Sequence, residues 1–416
     1  MMNGAKGQNY TRVRRSVVPV SVIYVDSAAT GDDDGSTWAN AFADLQDGIA
    51  AWAAGKEIWV AGAPTTGKTY KPDGADPGNR ALYFSPPDGC QIFGGFAGTE
   101  TARAQRDPAV NLTILSGDIG EAETDRSYHV FGWLADADCL VDGFRIEKGR
   151  ADSVDPGNGG GGGFAAYGSG MRFSNCLISE CYALSGGAGA IVDIGKVYLH
   201  NTKVANCSAV SNGGAIYHQD GEVVTSNCLF DSNGTIAGNG GAIFAKTVVD
   251  HRSVFNANAA DISGGGAVYL TAAGEFNRSL FVGNTAANCA VCDGVVSAVF
   301  NNCTAQGNIA TDGAASYGRW FNSILFGNTY TSLTCLGGYA DGYAEYSDIE
   351  GGDGAGGEFG ENDSHDNISS DPLYVDDTDA IGADLFWWTG DDGLRLGAGS
   401  PCLTASDTGG EIGAYG

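Results

Sequence analysis

Between residues 160 and 330 the apolar positions fall in short runs, each cut off by Gly, Asn, Ser or Asp, and the runs recur with a period of about 26 residues. The motif Gly-Gly-Ala-Ile/Val-aromatic stands at 213–217, 240–244 and 265–269, with a degenerate copy ending at Ala190 and Ile191. Its alanines, Ala190, Ala215, Ala242 and Ala267, lie 25, 27 and 25 residues apart. A second motif, Phe-x-x-Asn, falls between them at 230–233, 255–258 and 281–284, and in shortened form at 326–328. Each period holds three runs, such as 215–218, 222–225 and 228–230, and none is long enough for a helix. Parallel strands stacked about 4.8 Å apart would bury the Ile, Val and Phe columns. The pattern therefore predicts an all-β fold, a right-handed single-stranded parallel β-helix with one coil per period. The pairs Gly213-Gly214, Gly240-Gly241 and Gly265-Gly266 are expected at a sharp corner, and Asn233, Asn258 and Asn284 as an inward amide ladder.

Outside this stretch the runs at 58–61, 91–96, 112–116, 129–133 and 140–146 suggest wider coils carrying loops. Segment 38–54, with Ala39, Phe42, Leu45, Ile49 and Trp52 near a 3.6-residue period, predicts a helix that caps the open end of the stack. Residues 371–375, 394–396 and 412–415 read as final strands. The expected organisation is an extended arm at 1–22, a strand and capping helix at 23–57, and a β-helix at 58–416 with excursions near 152–163 and 376–393.

Composition narrows the partners. The 66 glycines, 10 prolines and 17% charged residues suit many short strands and tight turns. With 22 basic against 50 acidic residues the net charge is −28, which excludes nucleic acid and anionic membranes as partners. No run of 18 apolar residues predicts a membrane span, and residues 1–23 hold three arginines and a lysine but no apolar stretch of secretory length. Eleven cysteines are too few for a dense disulfide framework. Cys181 and Cys207, 26 residues apart, could stack as neighbours at a strand spacing close to the lower Cα limit for a disulfide, and the lone pair Cys289 and Cys292 is a weak zinc signal. No cofactor is required, but Asp32, Asp33 and Asp34, and Asp376, Asp377 and Asp379, offer clustered oxygens for Ca²⁺ without the spacing of an EF-hand loop.

The Gly-Gly-Ala-Ile and Phe-x-x-Asn copies resemble the repeats of polymorphic outer membrane proteins. The chain from about 22 to 416 also resembles the bacterial β-helix proteins grouped as choice-of-anchor Q domain proteins. The likeness rests on Tyr24-Val25-Asp26, the segments 34–39 and 44–46, and 92–100 with Arg106-Asp107. At the other end it rests on Asp371-Pro372-Leu373, Leu394-Arg395-Leu396, Ser400-Pro401-Cys402 and Ile412-Gly413-Ala414. The resemblance implies only a surface-located or secreted protein, often of adhesive or unknown role.

The same pectin-lyase-like solenoid carries polysaccharide lyases and hydrolases, so catalysis has to be argued from a site. A lyase needs a cation against the uronate carboxylate and a base near the sugar C5 proton; a hydrolase needs paired acids on neighbouring coils. Aligning coils on the motif alanine places Asp193, His218, Ala245 and Leu270 in one column. Aligning on Phe-x-x-Asn places His200, Ser226, His251 and Asn277 in another. His218, Asp220, Lys246, Asp250, His251 and Arg252 are thus the candidates for a shared catalytic face. Tyr217, Phe244 and Tyr269, one coil apart, form a glycan-stacking column if outward and a core ladder if inward. Trp387 and Trp388, beside Phe386, are the other aromatic candidates, either for glycan or for covering a cap. The expected function is a non-catalytic extracellular or cell-surface β-solenoid serving adhesion, a surface layer or a filament. Its partners would be a surface polysaccharide or other copies joined through the apolar arm at 10–24. The alternative is a polysaccharide lyase, glycoside hydrolase or glycan-binding module using the lateral groove.

Overall fold

The computed structural model describes residues 21–416 apart from 75, 134–137, 156–158, 169, 193, 295–296, 332–335, 337–342 and 351–365. The expected arm, except its last two positions, lies outside the described residues, as do Asp193 and the middle of the 152–163 excursion.

Each period forms one turn of a right-handed parallel β-helix, and successive coils pair in register along three sheets. Sheet A has 16 strands among the described residues, from Ser21–Val25 to Tyr343–Glu345; sheet B has 11, ending at Asp348–Ile349; sheet C has 7, each of two residues. The central coils cross from A to B through one residue in the left-handed region: Asn175, Asn201, Asn227, Arg252 and Arg278 have φ between 46° and 59°. A second such residue, for example Ser232 or Ala257, turns B into C. The glycine pair returns C to A. Gly213, Gly240 and Gly265 have φ of 68°, 71° and 71°, and a Cβ on Gly214 or Gly241 would stand 2.1 or 2.2 Å from a carbonyl oxygen of the next coil. The first glycine supplies the backbone conformation and the second the clearance.

Side chains alternate across each wall. Sheet B presents Ile178, Val204, Phe230, Phe255 and Phe281 inward in consecutive coils, and the three rings stack with centroids 5.0 and 4.9 Å apart. Sheet A answers with Phe276, Phe300 and Trp320, at 4.8 and 4.0 Å. Burial of one such ring contributes roughly 1.5–3 kcal/mol.

Two polar ladders run inside the corners. Asn233, Asn258, Asn284 and Asn308 each donate an amide hydrogen to the next asparagine, ending on Asn328, at 2.8–3.0 Å. The same oxygens accept backbone N–H groups of the preceding coil, so the corner leaves no cost of unpaired amides. Upstream the position is taken by Cys207, whose N–H donates to Asn233, and by Cys181; both are buried free thiols. The second ladder follows the left-handed residue of the A–B corner and reads Cys176, Thr202, Cys228, Ser253, Ser279, Cys303, Ser323 and Ser347. Ser253 accepts from the N–H of Cys228 at 3.1 Å, Ser323 from Cys303 at 3.0 Å and Ser347 from Ser323 at 3.1 Å. Thiol and hydroxyl alternate there because either is a small acceptor for the coil before it, which accounts for three cysteines without any disulfide.

The two ends depart from the expectation. The helix is only Leu45–Ala50, started by the Asp44 carboxylate, which accepts from the Gln46 N–H. Upstream of it Asp33, Asp34 and Thr37 accept backbone N–H groups and hold 33–43 as a loop, because short polar side chains compete with the helical ladder. Leu45 and Ile49 still pack with Ile23, Val25 and Ile58 at the end of the core. At the other end, 371–375, 394–396 and 412–415 are loops and turns and not strands, and an isolated antiparallel bridge between Tyr374 and Leu396 joins the first two. This segment folds back along the outer wall of sheet B, covering Ile324, Leu280, Val254 and Leu229 with Cys402, Ile412, Leu394, Trp387, Trp388 and Ala414. Among the described residues no helix is long and apolar enough to cross a membrane.

Candidate functional site

The six catalytic candidates do not share a face. His218 is fully buried and turned inward, its Nε2 2.9 Å from the Gly195 carbonyl oxygen; burial lowers its pKa. Asp250 is also inward and fully buried, with Thr225 Oγ1 donating to it at 2.5 Å and Ser279 Oγ donating to its other oxygen. Burial raises its carboxyl pKa against the opposing hydroxyl bonds. Asp220, Lys246 and His251 stand outside the wall, but Lys246 and His251 are five residues apart on one strand, Ile243–His251, a separation of roughly 16 Å. Arg252 occupies the A–B corner with its guanidinium 5.1 Å from the centre of the Trp388 ring. The alternation of a strand, which sequence alignment by column overlooks, sends neighbours in sequence to opposite sides of the sheet.

Asp220 and Lys246 instead meet residues that the sequence did not single out. A depression of about 730 Å³ on the outer face of sheet A is lined by Asp220, Lys246, Arg172, Lys196, Tyr198 and Glu222. Lys196 and Glu222 pair at 2.6 Å across adjacent coils, and this bond raises the lysine pKa. Arg172 pairs with Asp138 at 2.9 Å and lies 4.7 Å over the Tyr198 ring. The outer column continues as His200, 2.8 Å from Ser226, then His251 and Asn277. This face holds cations and acids at one-coil spacing, but its salt bridges already use most of them.

Tyr217, Phe244 and Tyr269 project outward, since Ile216, Ile243 and Val268 beside them belong to the core. Their rings stack at 5.3 and 5.2 Å; Phe244 is buried between two half-exposed tyrosines. Tyr217 donates to Gln219, and burial raises the pKa of both tyrosines, with Asp220 and Asp293 adding to it. Trp387 and Trp388 cover the flank of sheet B and not an end of the stack, with Phe386 left 70% exposed. The acidic runs cap their own loops. Asp32 accepts from the Asn40 amide, Asp33 from the Ala43 N–H and Asp34 from the Ser36 N–H, while Asp376 accepts from Thr378 and both Asp377 and Asp379 are exposed. Among the described residues no three His, Cys, Asp or Glu side chains converge as a metal-ligand set. Cys289 and Cys292 are buried, and burial pushes both thiols up.

No protein-family model matches the chain, and no curated protein matches it. Among solved structures it is similar to the pectate lyase Pel9A, with a TM-score of 0.57 at 14% sequence identity, over 95% of this chain and 96% of that one. At that identity the likeness is one of fold.

Proposed function

We propose that the chain is a non-catalytic extracellular or cell-surface β-solenoid that serves adhesion. One observation carries this reading: the wall of sheet A separates His218 and Asp250, which are inside, from Asp220, Lys246 and His251, which are outside. The internal ladders build a stiff rod, the acidic surface suits solution at high salt, and the resemblance to outer-membrane repeats favours a surface role. Self-association through the arm at 10–24 would make the rod a filament, and deletion of 1–22 would then abolish assemblies seen by light scattering.

A second reading, a polysaccharide lyase, is favoured by the sheet A depression, where Lys246 and Arg172 stand with Tyr198 on a fold shared with a pectate lyase. The test is a screen of the purified protein against polygalacturonate, alginate, neutral plant glycans and chitin, with and without Ca²⁺, following unsaturated products and reducing ends. Silence with intact β-type circular dichroism supports the adhesive reading. Turnover that is lost in Lys246→Ala overturns it.

A further inference from the structure

We propose that the corner between sheets A and B is a binding site for an extended, uncharged polysaccharide laid along the solenoid axis. The inference rests on the reading of a surface solenoid and names the ligand class that such a surface would hold.

The site is a trough of about 870 Å³ between the loop at 103–109 and the aromatic tip of the returning C-terminal segment. Its ledge is Asn175, Asn201 and Asn227, three left-handed corners in consecutive coils. Asn201 donates to Asn175 at 2.6 Å, and Asn175 to Asp142 at 3.0 Å, so these two amides are held in line, with Asn227 exposed one coil further on. Coils repeat about every 4.8 Å, a spacing near that of successive rings in an extended β-1,4-linked chain. An amide offers both donors and an acceptor, which suits sugar hydroxyls of either sense. The floor follows the outward column of sheet B, with Leu177 and Leu229, over five coils or roughly 19 Å. The far wall is Phe386, exposed, and Trp387, half-buried. Trp388 anchors them, with Tyr415 at 5.1 Å and the Arg252 guanidinium 5.1 Å from its ring centre. Rigid aromatic faces beside a row of amides match the alternating apolar faces and hydroxyl edges of a pyranose chain.

Charge selects against an anionic chain. Three of the four bordering cations are already neutralised, Lys203 by Asp231 at 2.8 Å, Arg103 by Glu57 at 2.7 Å and Arg106 by Asp142 at 2.5 Å, while Arg145 at the floor has no ion pair among the described residues. The whole chain carries −28, so a polyuronate would have to break these pairs against a repulsive field.

Titration calorimetry of the full chain with cellohexaose, chitohexaose and polygalacturonate tests the site. The expected result is binding of at least one neutral hexaose and weaker binding of polygalacturonate. Trp387→Ala and Asn201→Gly, the latter compatible with the left-handed backbone, would each weaken it about tenfold with unchanged circular dichroism. Arg319→Ala, on the outer wall of sheet A, would leave it unchanged. Failure to bind either neutral hexaose, tighter binding of polygalacturonate, or indifference to both trough substitutions overturns the inference. These outcomes are separate from those of the adhesive reading: turnover abolished by Lys246→Ala would overturn that reading, yet leave the trough standing if Trp387→Ala still cost affinity.

Discussion

The central coils and the returning C-terminal segment are built from opposite principles. In the coils each residue meets its counterpart one period away: Phe255 lies between Phe230 and Phe281, and Asn258 between Asn233 and Asn284. The segment at 371–416 has no such counterpart. It is held by individual contacts, Tyr415 Oη to Asp392 at 2.6 Å, Cys402 Sγ to Asp348 at 3.0 Å and the Ala414 N–H to Thr304 Oγ1 at 3.0 Å. The difference teaches that repetition builds the rod, while the non-repeating piece gives one flank of it an identity, because it alone brings Phe386, Trp387 and Trp388 to the wall.

The comparison is broken most severely by Phe255→Ala, which opens a cavity in the middle of the stack. It is expected to lower unfolding free energy in urea by about 3–5 kcal/mol, and a loss under 1 kcal/mol would contradict a continuous ring column. Asn258→Ala follows at about 1–3 kcal/mol, since the Asn233 amide and the Phe230 carbonyl lose their buried partner. Hydrogen exchange should then rise in the coils on both sides.

Asp250→Asn sharpens the picture of the interior. Its folded pKa lies above the ordinary 3.8, so the fold favours the protonated acid. Its contribution to stability is therefore greatest below that ordinary value and declines as pH rises towards the folded pKa. Relative to wild type, the variant's thermal midpoint is expected to improve as pH is raised from 3 towards neutrality; a constant difference would refute the assignment. The smallest effect is predicted for Tyr415→Phe, about 0.5–1.5 kcal/mol and confined to the tail. Proteolysis within 371–416 should accelerate while exchange in the coils is unchanged.

Much of the rod is legible in the chain because a solenoid contact is also a fixed sequence interval. The Gly-Gly and Phe-x-x-Asn intervals state the coil length, and the residue types at those points state what the corner needs. A third interval went unread: Asn175-Cys176, Asn201-Thr202, Asn227-Cys228 and Arg252-Ser253 mark the A–B corner, a left-handed residue followed by a small acceptor. It would have located the amide ledge and explained part of the cysteine count. Its degeneracy hid it, since Cys, Thr and Ser perform one physical task under three names.

Local periodicity thus determined the coil, its corners and its all-β architecture, because those depend on what sits one turn away. Tertiary structure alone decided which side of the wall each polar residue takes, as with His218 inside and Asp220 outside, two positions apart. It also decided that a segment expected to end the stack turns back along sheet B. That choice depends on the outward column of Leu229, Val254, Leu280 and Ile324, apolar surface contributed by four different coils and visible as one stripe only after they have stacked.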